Sequence, residues 1–258
     1  MATSGTARPT IAVVDTGSGN LRSVEKALAR AGATPLVTSD PDAVAAADKI
    51  VVPGQGAFGG CVAGLERGGG ALKAAVLESI QGGKPYFGIC LGLQVLFEGS
   101  EEDTSCRGLG VMPGKVVRFC VPPLFVSESG SGGLSPPPPL TVSGTLEGSP
   151  NPPATGSGGL SPPPPTRIKV PHMGWNACAR GPAAERSAVL AGTPEGTWFY
   201  FVHSFFPVPA NPADVALEAE HGVRFCAAVA RDNVFATQFH PEKSQGAGLA
   251  LLSRFVAC

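Results

Sequence analysis

Apolar and polar positions alternate between two periods along this chain, and the period changes roughly at its middle. Residues 11–15, IAVVD, form a short apolar run ending at Asp15, as a buried parallel strand does. GSGN follows, then LRSVEKALARAG, in which Leu21, Val24, Leu28 and Ala31 recur at helical spacing and Gly32 supplies a C-terminal cap. PLVTSD reads as a second strand, PDAVAAA as a short helix opened by proline, and DKIVVPG as a third strand closed by Pro53-Gly54. Residues 65–83 read as one helix with a glycine-rich start, and PYFGI at 85–89 as a fourth strand leading into a helix after Cys90. Strand alternating with helix predicts a mainly parallel sheet covered on both faces.

The second half is strand-rich. GLGVMPGKVVRF (108–119), RIKVPHMGWN (167–176), TWFYFVHSFF (197–206), VRFCAAVARDN (223–233) and VFATQF (234–239) each read as one strand, and GAGLALLSRFVA (246–257) as a closing helix. Between the halves the pattern disappears. GSGGLSPPPP occurs at 130–139 and again, letter for letter, at 156–165; residues 122–165 hold 13 of the 26 prolines, and their only charges are Glu128 and Glu147. Tetraproline favours polyproline II, Gly/Ser runs stay flexible, and such a segment cannot bury enough apolar surface to offset its ordering entropy. The expectation is one domain over residues 11–258, preceded by a flexible stretch at 1–10 and interrupted by a disordered insertion at 122–165. The insertion is read as inert rather than as a ligand for a proline-recognising partner.

Composition removes several classes of function. With 43% hydrophobic and 15% charged residues and a net charge of -1, the chain has a sizeable core and no electrostatic footprint for nucleic acid. No apolar run is long enough to span a bilayer, and MATSGTARPT lacks the apolar centre of a secretory signal. Seven cysteines, at 61, 90, 106, 120, 178, 226 and 258, are odd in number and without C-x-x-C spacing. That speaks against a disulfide framework or a zinc site and for a reducing compartment. No cofactor and no metal are expected. His172 and His203 have no carboxylate or cysteine at metal-ligand spacing, and His221, beside Gly222, reads as a turn residue. G-x-G at 17–19 lacks the third glycine of a dinucleotide fingerprint and reads as a tight turn.

One cysteine differs from the rest. Gly88-x-Cys90-x-Gly92 has the form of a nucleophile elbow, a sharp strand-to-helix turn flanked by small residues. A helix beginning there points its first N–H groups at the sulfur and favours the thiolate. A cysteine nucleophile needs a base and a group to orient it. His240, delivered by the apolar run VFATQF to a turn at Pro241, has Glu242 two residues on. VVPGQGAF at 51–58 supplies a glycine-flanked turn whose N–H groups can converge on an oxyanion.

PGQGAF, GICLGLQ and FHPEKS, in that order, resemble the class I (triad) glutamine amidotransferases. DTGSGNLRSVEKAL, VPHMGWN at 170–176, YFVHS at 200–204 and TQFHPEKS at 237–244 most resemble the glutaminase part of imidazole glycerol phosphate synthase, especially the fused plant and fungal form. The resemblance implies a three-layer, flavodoxin-like α/β fold with a mainly parallel central sheet. It also implies glutamine as substrate and a (β/α)8 cyclase, separate or fused, as partner. It makes Cys90 the nucleophile, His240 the base and acid, and Glu242 its orienter. The N–H groups of Gln55 and Leu91 become the oxyanion hole. Gly56, Gln94, His203 and Ser204 line the glutamine pocket, and Trp175, Tyr200 and Lys243 face the cyclase. It places the protein in the plastid stroma if a plant or algal transit peptide has been trimmed, and otherwise in the cytoplasm. Thr16 stands where the family usually has Tyr, Gln55 where it usually has Val, and SFFP at 204–207 replaces a Ser-Tyr continuation. Two other readings stay open: the same chemistry serving another synthase, and a catalytically silent module on the same fold.

Overall fold

The computed structural model describes residues 8–17, 19–119 and 168–258. These belong to one unit that joins the segment ending at Cys120 to the segment beginning at Ile168. The expected insertion, and the start of the N-terminal stretch, lie outside the described residues.

The apolar runs of the first half become parallel strands. β1 (Thr10–Val14) pairs in parallel with β2 (Thr34–Thr38) and β3 (Lys49–Gly54), and β3 pairs with β4 (Tyr86–Cys90). α1 (Leu21–Arg30), α2 (Pro41–Ala46), α3 (Phe58–Glu66) and α4 (Ala71–Gln81) connect them. A short α5 (Leu91–Gln94) follows β4. The second half adds β5 (Gly114–Arg118), β6 (His172–Arg180), β7 (Thr197–His203), β8 (Phe205–Pro209), β9 (Val215–Glu220), β10 (Arg224–Arg231), β11 (Val234–Thr237) and α6 (Gln245–Ala257). The nine-stranded sheet runs β2-β1-β3-β4-β11-β10-β9-β6-β7, parallel through β11 and antiparallel beyond it; β5 and β8 form a separate antiparallel pair.

Two apolar layers enclose the parallel half. Ile11 and Val13 pack with Val24 and Leu28 of α1 and with Leu251, Leu252 and Phe255 of α6. Ala12 and Val14 point the other way, among Val44, Phe58, Leu65, Leu72 and Val76 of α2, α3 and α4. Successive residues of one strand therefore feed opposite cores, as the period of two requires. Each fully buried Val, Leu or Phe contributes roughly 1.5–3 kcal/mol. Among the described residues no helix is long and apolar enough to cross a membrane.

The structure corrects several boundaries. The helix expected over 65–83 begins later, as α4 at Ala71, because Gly68, Gly69 and Gly70 all take positive φ (64°, 79°, 84°); α3 (Phe58–Glu66), whose sequence FGGCVAGLE carries three glycines, is a helix that the sequence pattern does not announce. Left-handed glycines end a helix rather than start one. The strand expected over 197–206 breaks at Ser204 and changes sheet, so that β7 pairs with β6 and β8 with β5. Residues 108–113 lie in irregular backbone and bends before β5, and β6 starts at His172 rather than in the preceding segment. β9, sequence VALEAE, is a strand that the sequence pattern does not announce: its Ala, Leu and Glu favour helix, and pairing with β10 and β6 overrides that preference. Thr16 is buried, with Gly64 of α3 packed against its carbonyl, so it lies inside the fold rather than on an outer face.

Candidate active site

Cys90 is the last residue of β4 and sits in the backbone conformation φ 55°, ψ −102°. A non-glycine residue held at positive φ stores on the order of 1–3 kcal/mol of strain, and its neighbours must keep it there. They do so by contact. A Cβ at Gly88 would run into the Gly92 carbonyl, and a Cβ at Gly92 into the Val52 carbonyl of β3. Both elbow glycines are therefore required by space. The buried Tyr86 hydroxyl donates to the Gly92 carbonyl at 2.7 Å and fastens the turn from beneath. α5 is four residues, shorter than the sequence suggests. A helix that short sums few peptide dipoles.

His240 and Glu242 arrive on the segment after β11. The His240 Nδ1 lies 2.9 Å from Glu242 Oε1, and the two side chains are 2% and 1% exposed. The carboxylate accepts, so Nδ1 carries a proton and Nε2 is turned to the chemistry. Nε2 makes no hydrogen bond of good geometry, and interacts with the Cys90 sulfur through proximity and charge. Burial pulls the imidazole down, but the Cys90 thiolate and the Glu242 carboxylate outweigh it and push His240 up to about 10. The main chain fixes the ring as well. His240 N–H donates to the Tyr200 carbonyl (2.9 Å), Tyr200 N–H donates to Ser244 Oγ (3.0 Å), and the Ser244 hydroxyl donates to the His240 carbonyl (2.7 Å).

A cavity of about 390 Å³ opens over the sulfur, of a size that suits a small polar metabolite. Its wall includes Cys90, His240, Gln55, Leu91 and all four residues expected there: Gly56, Gln94, His203 and Ser204. Gly54 is registered against Cys90 across the sheet, which brings the Gln55 turn to the nucleophile. Lys243 also lines the cavity, with its Nζ 6.0 Å from the centre of the Tyr200 ring, while Trp175 packs edge-on to Tyr200 at 6.1 Å. Trp175 and Tyr200 are not cavity residues. Trp175 faces outward on the β6–β7 pair, where Met173 and Trp198 are also exposed, at 63% and 58%.

Three contacts of the site were not expected from the sequence. Glu102 adds a carboxylate to the cavity wall and accepts the Phe58 N–H at 2.8 Å; its surroundings, SEEDTS, read as an ordinary polar loop. Gln238 donates from Nε2 to Cys90 Sγ at 3.5 Å. Behind the wall, His203 Nδ1 faces the Phe205 carbonyl (2.9 Å), and His203 Nε2 faces His172 Nδ1 (3.0 Å). A carbonyl only accepts, so Nδ1 of His203 carries its proton, Nε2 accepts from His172, and the His172 Nε2 accepts from Asn176 (3.2 Å). Burial holds both rings neutral, His203 down to about 3 and His172 down to about 4, with neighbouring histidines adding to the effect. His221, read as a turn residue, sits in a bend and stacks on His172 at 4.2 Å. Among the described residues no group of three or more His, Cys, Asp and Glu is placed to hold a metal ion.

This electrostatic arrangement sets a pH dependence. With His240 as the acid expected from the sequence, release of an amine leaving group would need its proton, so kcat/KM should hold through neutral pH and fall as pH rises through about 10. The carboxylate raises that limit, so Glu242→Gln should move the alkaline limb to lower pH. Comparing the two proteins on one substrate removes the substrate's own titration. An alkaline limb unmoved by Glu242→Gln would detach the carboxylate from the imidazole.

Comparison with known proteins bears on the family and the fold. The family model for glutamine amidotransferase class-I matches residues 12–257. The chain is 42% identical over 245 residues to the imidazole glycerol phosphate synthase subunit HisH of Rhodopirellula baltica, covering 95% of this chain and 96% of that one. Proteins of the same name from Methylococcus capsulatus (43%, 95% of each chain) and Methanothermobacter thermautotrophicus (41%, 95% and 97%) are also similar. These relatives are bacterial and archaeal and lend the plastid expectation no support. Among solved structures, a chain of PurLQS from Thermotoga maritima superposes with a TM-score of 0.61 at 17% identity, covering 97% of this chain and 98% of that one. A structure described as a GMP synthase component from Thermoplasma acidophilum gives 0.60 at 16%, over 98% and 94%. At such identities these two show the fold alone. The chain belongs to the class-I glutamine amidotransferase family.

Proposed function

We propose that this chain is the glutaminase of imidazole glycerol phosphate synthase, acting in histidine biosynthesis. The observation that carries the reading is the buried His240–Glu242 pair set beside a strained Cys90 at the floor of an open cavity. The Cys90 thiolate attacks the carboxamide carbon of glutamine. The developing oxyanion lies toward the N–H groups of Leu91 and Gln55. His240 gives its Nε2 proton to the departing ammonia, leaving a glutamyl thioester on Cys90. A water molecule then loses a proton to His240, attacks the thioester, and glutamate leaves with the thiolate restored. Glu102 offers the amino group of glutamine a negative partner at the cavity wall.

The ammonia passes to a (β/α)8 cyclase, which adds it to a phosphoribulosyl-formimino carboxamide nucleotide. The products are imidazole glycerol phosphate and an aminoimidazole carboxamide ribonucleotide. The Trp175, Tyr200 and Lys243 face suits a cyclase on its own polypeptide as well as one fused after Cys258. The test supplies a matched cyclase with its nucleotide and either glutamine or ammonium. This chain should be required for product from glutamine and dispensable with ammonium, and Glu102→Gln should raise KM for glutamine more than it lowers kcat. Product from glutamine without this chain would refute the assignment.

We also propose that residues 122–165 are an insertion that the chemistry does not need. The residues that bracket it meet one turn: Phe119 lies 5.5 Å ring to ring from His221, and the Ile168 side chain lies against Gly222. A short linker can therefore replace it, and loop closure costs only about 0.6 kcal/mol per doubling of length. The melting temperature and glutamate release of the shortened protein should match those of the full chain. A large fall in melting temperature would show that the segment packs.

A further inference from the structure

We infer that Gln238 is a positioning residue for the nucleophile: its side-chain amide donates a hydrogen bond that holds and stabilises the Cys90 thiolate. The inference rests on the reading of Cys90 as the nucleophile and assigns a group that the triad leaves out. Gln238 is fully buried in the bend directly after β11, with its main-chain N–H bound to the Ala227 carbonyl at 2.8 Å. A buried amide must have its polar atoms satisfied, and here its neighbours decide which end faces the sulfur.

The decision starts at the Phe205 carbonyl, which can only accept. Gln94 Nε2, 3% exposed as a residue, donates to it at 3.1 Å. The same Nε2 donates to Gln238 Oε1, also at 3.1 Å. Gln238 Oε1 is thus committed as an acceptor, and Gln238 Nε2 is left to donate to Cys90 Sγ at 3.5 Å. Turning the Gln238 amide over would set one NH2 against another at Gln94, which is repulsive at once. It would also place a carbonyl oxygen against the sulfur, which is repulsive when the sulfur is a thiolate. The Phe205 carbonyl is itself held by a second donor, His203 Nδ1, at 2.9 Å. The break between β7 and β8 that places this carbonyl here therefore fixes the polarity of the amide chain reaching the nucleophile.

The bond has a clear chemical use. Hydrogen bonds to charged partners are stronger than those between neutral groups, and the Cys90 sulfur lies in a buried position where each donor counts. Donation from Gln238 also leaves the His240 proton free for the leaving ammonia, because the imidazole is no longer the only group stabilising the sulfur. The titratable or charged groups around Cys90 are His240 with Glu242 behind it, Cys61, and Glu102 and Lys243 in the cavity wall. None of them is changed by substitution at Gln238.

Thiolate absorbance of Cys90 can be followed against pH as the difference between each protein and its Cys90→Ser counterpart, without glutamine, so failure of the glutaminase reading would not affect it. Gln238→Met keeps the volume and removes the donor; the Cys90 titration should move up by about one pH unit. Gln238→Glu, which replaces the donor with an acceptor, should move it further in the same direction. Curves superimposable on wild type in folded variants would overturn the inference. A second measurement needs no change at Gln238. In the wild-type protein the Gln238 side-chain amide signals in nitrogen-15 NMR should shift as Cys90 ionises, and this response should vanish in Cys90→Ser. Amide signals indifferent to Cys90 would overturn the inference equally.

Discussion

Cys90→Ser should abolish glutamate release, with a loss of about 10⁴-fold or more, while the protein keeps its melting temperature and its affinity for a cyclase. The size follows from the division of labour in the site. Losing the nucleophile of a triad costs about as much as losing the whole triad, because the base and orienter have nothing left to act on. What survives is the modest rate from binding and oxyanion stabilisation. The silence elsewhere follows from packing. The substitution exchanges one small buried atom, and the elbow is held by Gly88, Gly92, Val52 and the Tyr86 hydroxyl through contacts that do not involve the sulfur. A variant that keeps an appreciable fraction of wild-type activity would remove Cys90 from its role. A variant that unfolds would mean that the strained backbone depends on the thiol.

Addition of a cyclase carrying its nucleotide should raise glutamate release by roughly 10²–10³-fold, the value of one oxyanion donor. The Gln55 peptide lies on a glycine-flanked turn, Gly54-Gln55-Gly56, directly after β3 and opposite Cys90. Such a turn can hold its N–H inward or outward, so the chain alone should be a poor glutaminase, and the partner should act by shifting that population. The face assigned to the cyclase is mechanically close to the triad. The Tyr200 carbonyl accepts a hydrogen bond from His240 N–H, and the Tyr200 ring lies under the Lys243 ammonium. Lys243 directly follows Glu242 in the short turn that leaves His240. Gln55, bulkier and more polar than the usual Val, should raise the basal rate, and Gln55→Val should lower it. Lys243→Ala should weaken activation. Full activity of the isolated chain, unchanged by the cyclase complex, would refute the coupling; normal binding and activation in Lys243→Ala would remove that residue from it.

Much of the parallel half of the fold was legible in the sequence because β1, β3 and β4 are apolar runs and α1 and α4 are followed by glycine; α3, with three glycines in nine residues, was not. The antiparallel half was less so. VALEAE carries helix-forming residues and becomes β9 only because β10 and β6 flank it. The break at Ser204 has no local signal, since TWFYFVHSFF is largely apolar and aromatic on both sides of it. It is enforced by two different pairing partners. The cluster of Cys90, His240 and Glu242 was readable because these residues sit in short motifs at tight turns, where local chemistry dictates local shape. Glu102 and Gln238 were not, because their roles depend on distant neighbours: Phe58 for one, Gln94 and Cys90 for the other. A glutamine in an apolar run looks like any buried polar residue until its partner, 148 positions away, is in place.

The most direct test of the account is covalent capture. The protein, with a matched cyclase and nucleotide present, is treated with a glutamine-analogue electrophile, and the modified peptide is identified by mass spectrometry. The account predicts one label per chain, on Cys90, prevented by excess glutamine and absent from Cys90→Ser. Label on another cysteine, or glutamate release that continues unchanged in Cys90→Ser, would contradict it.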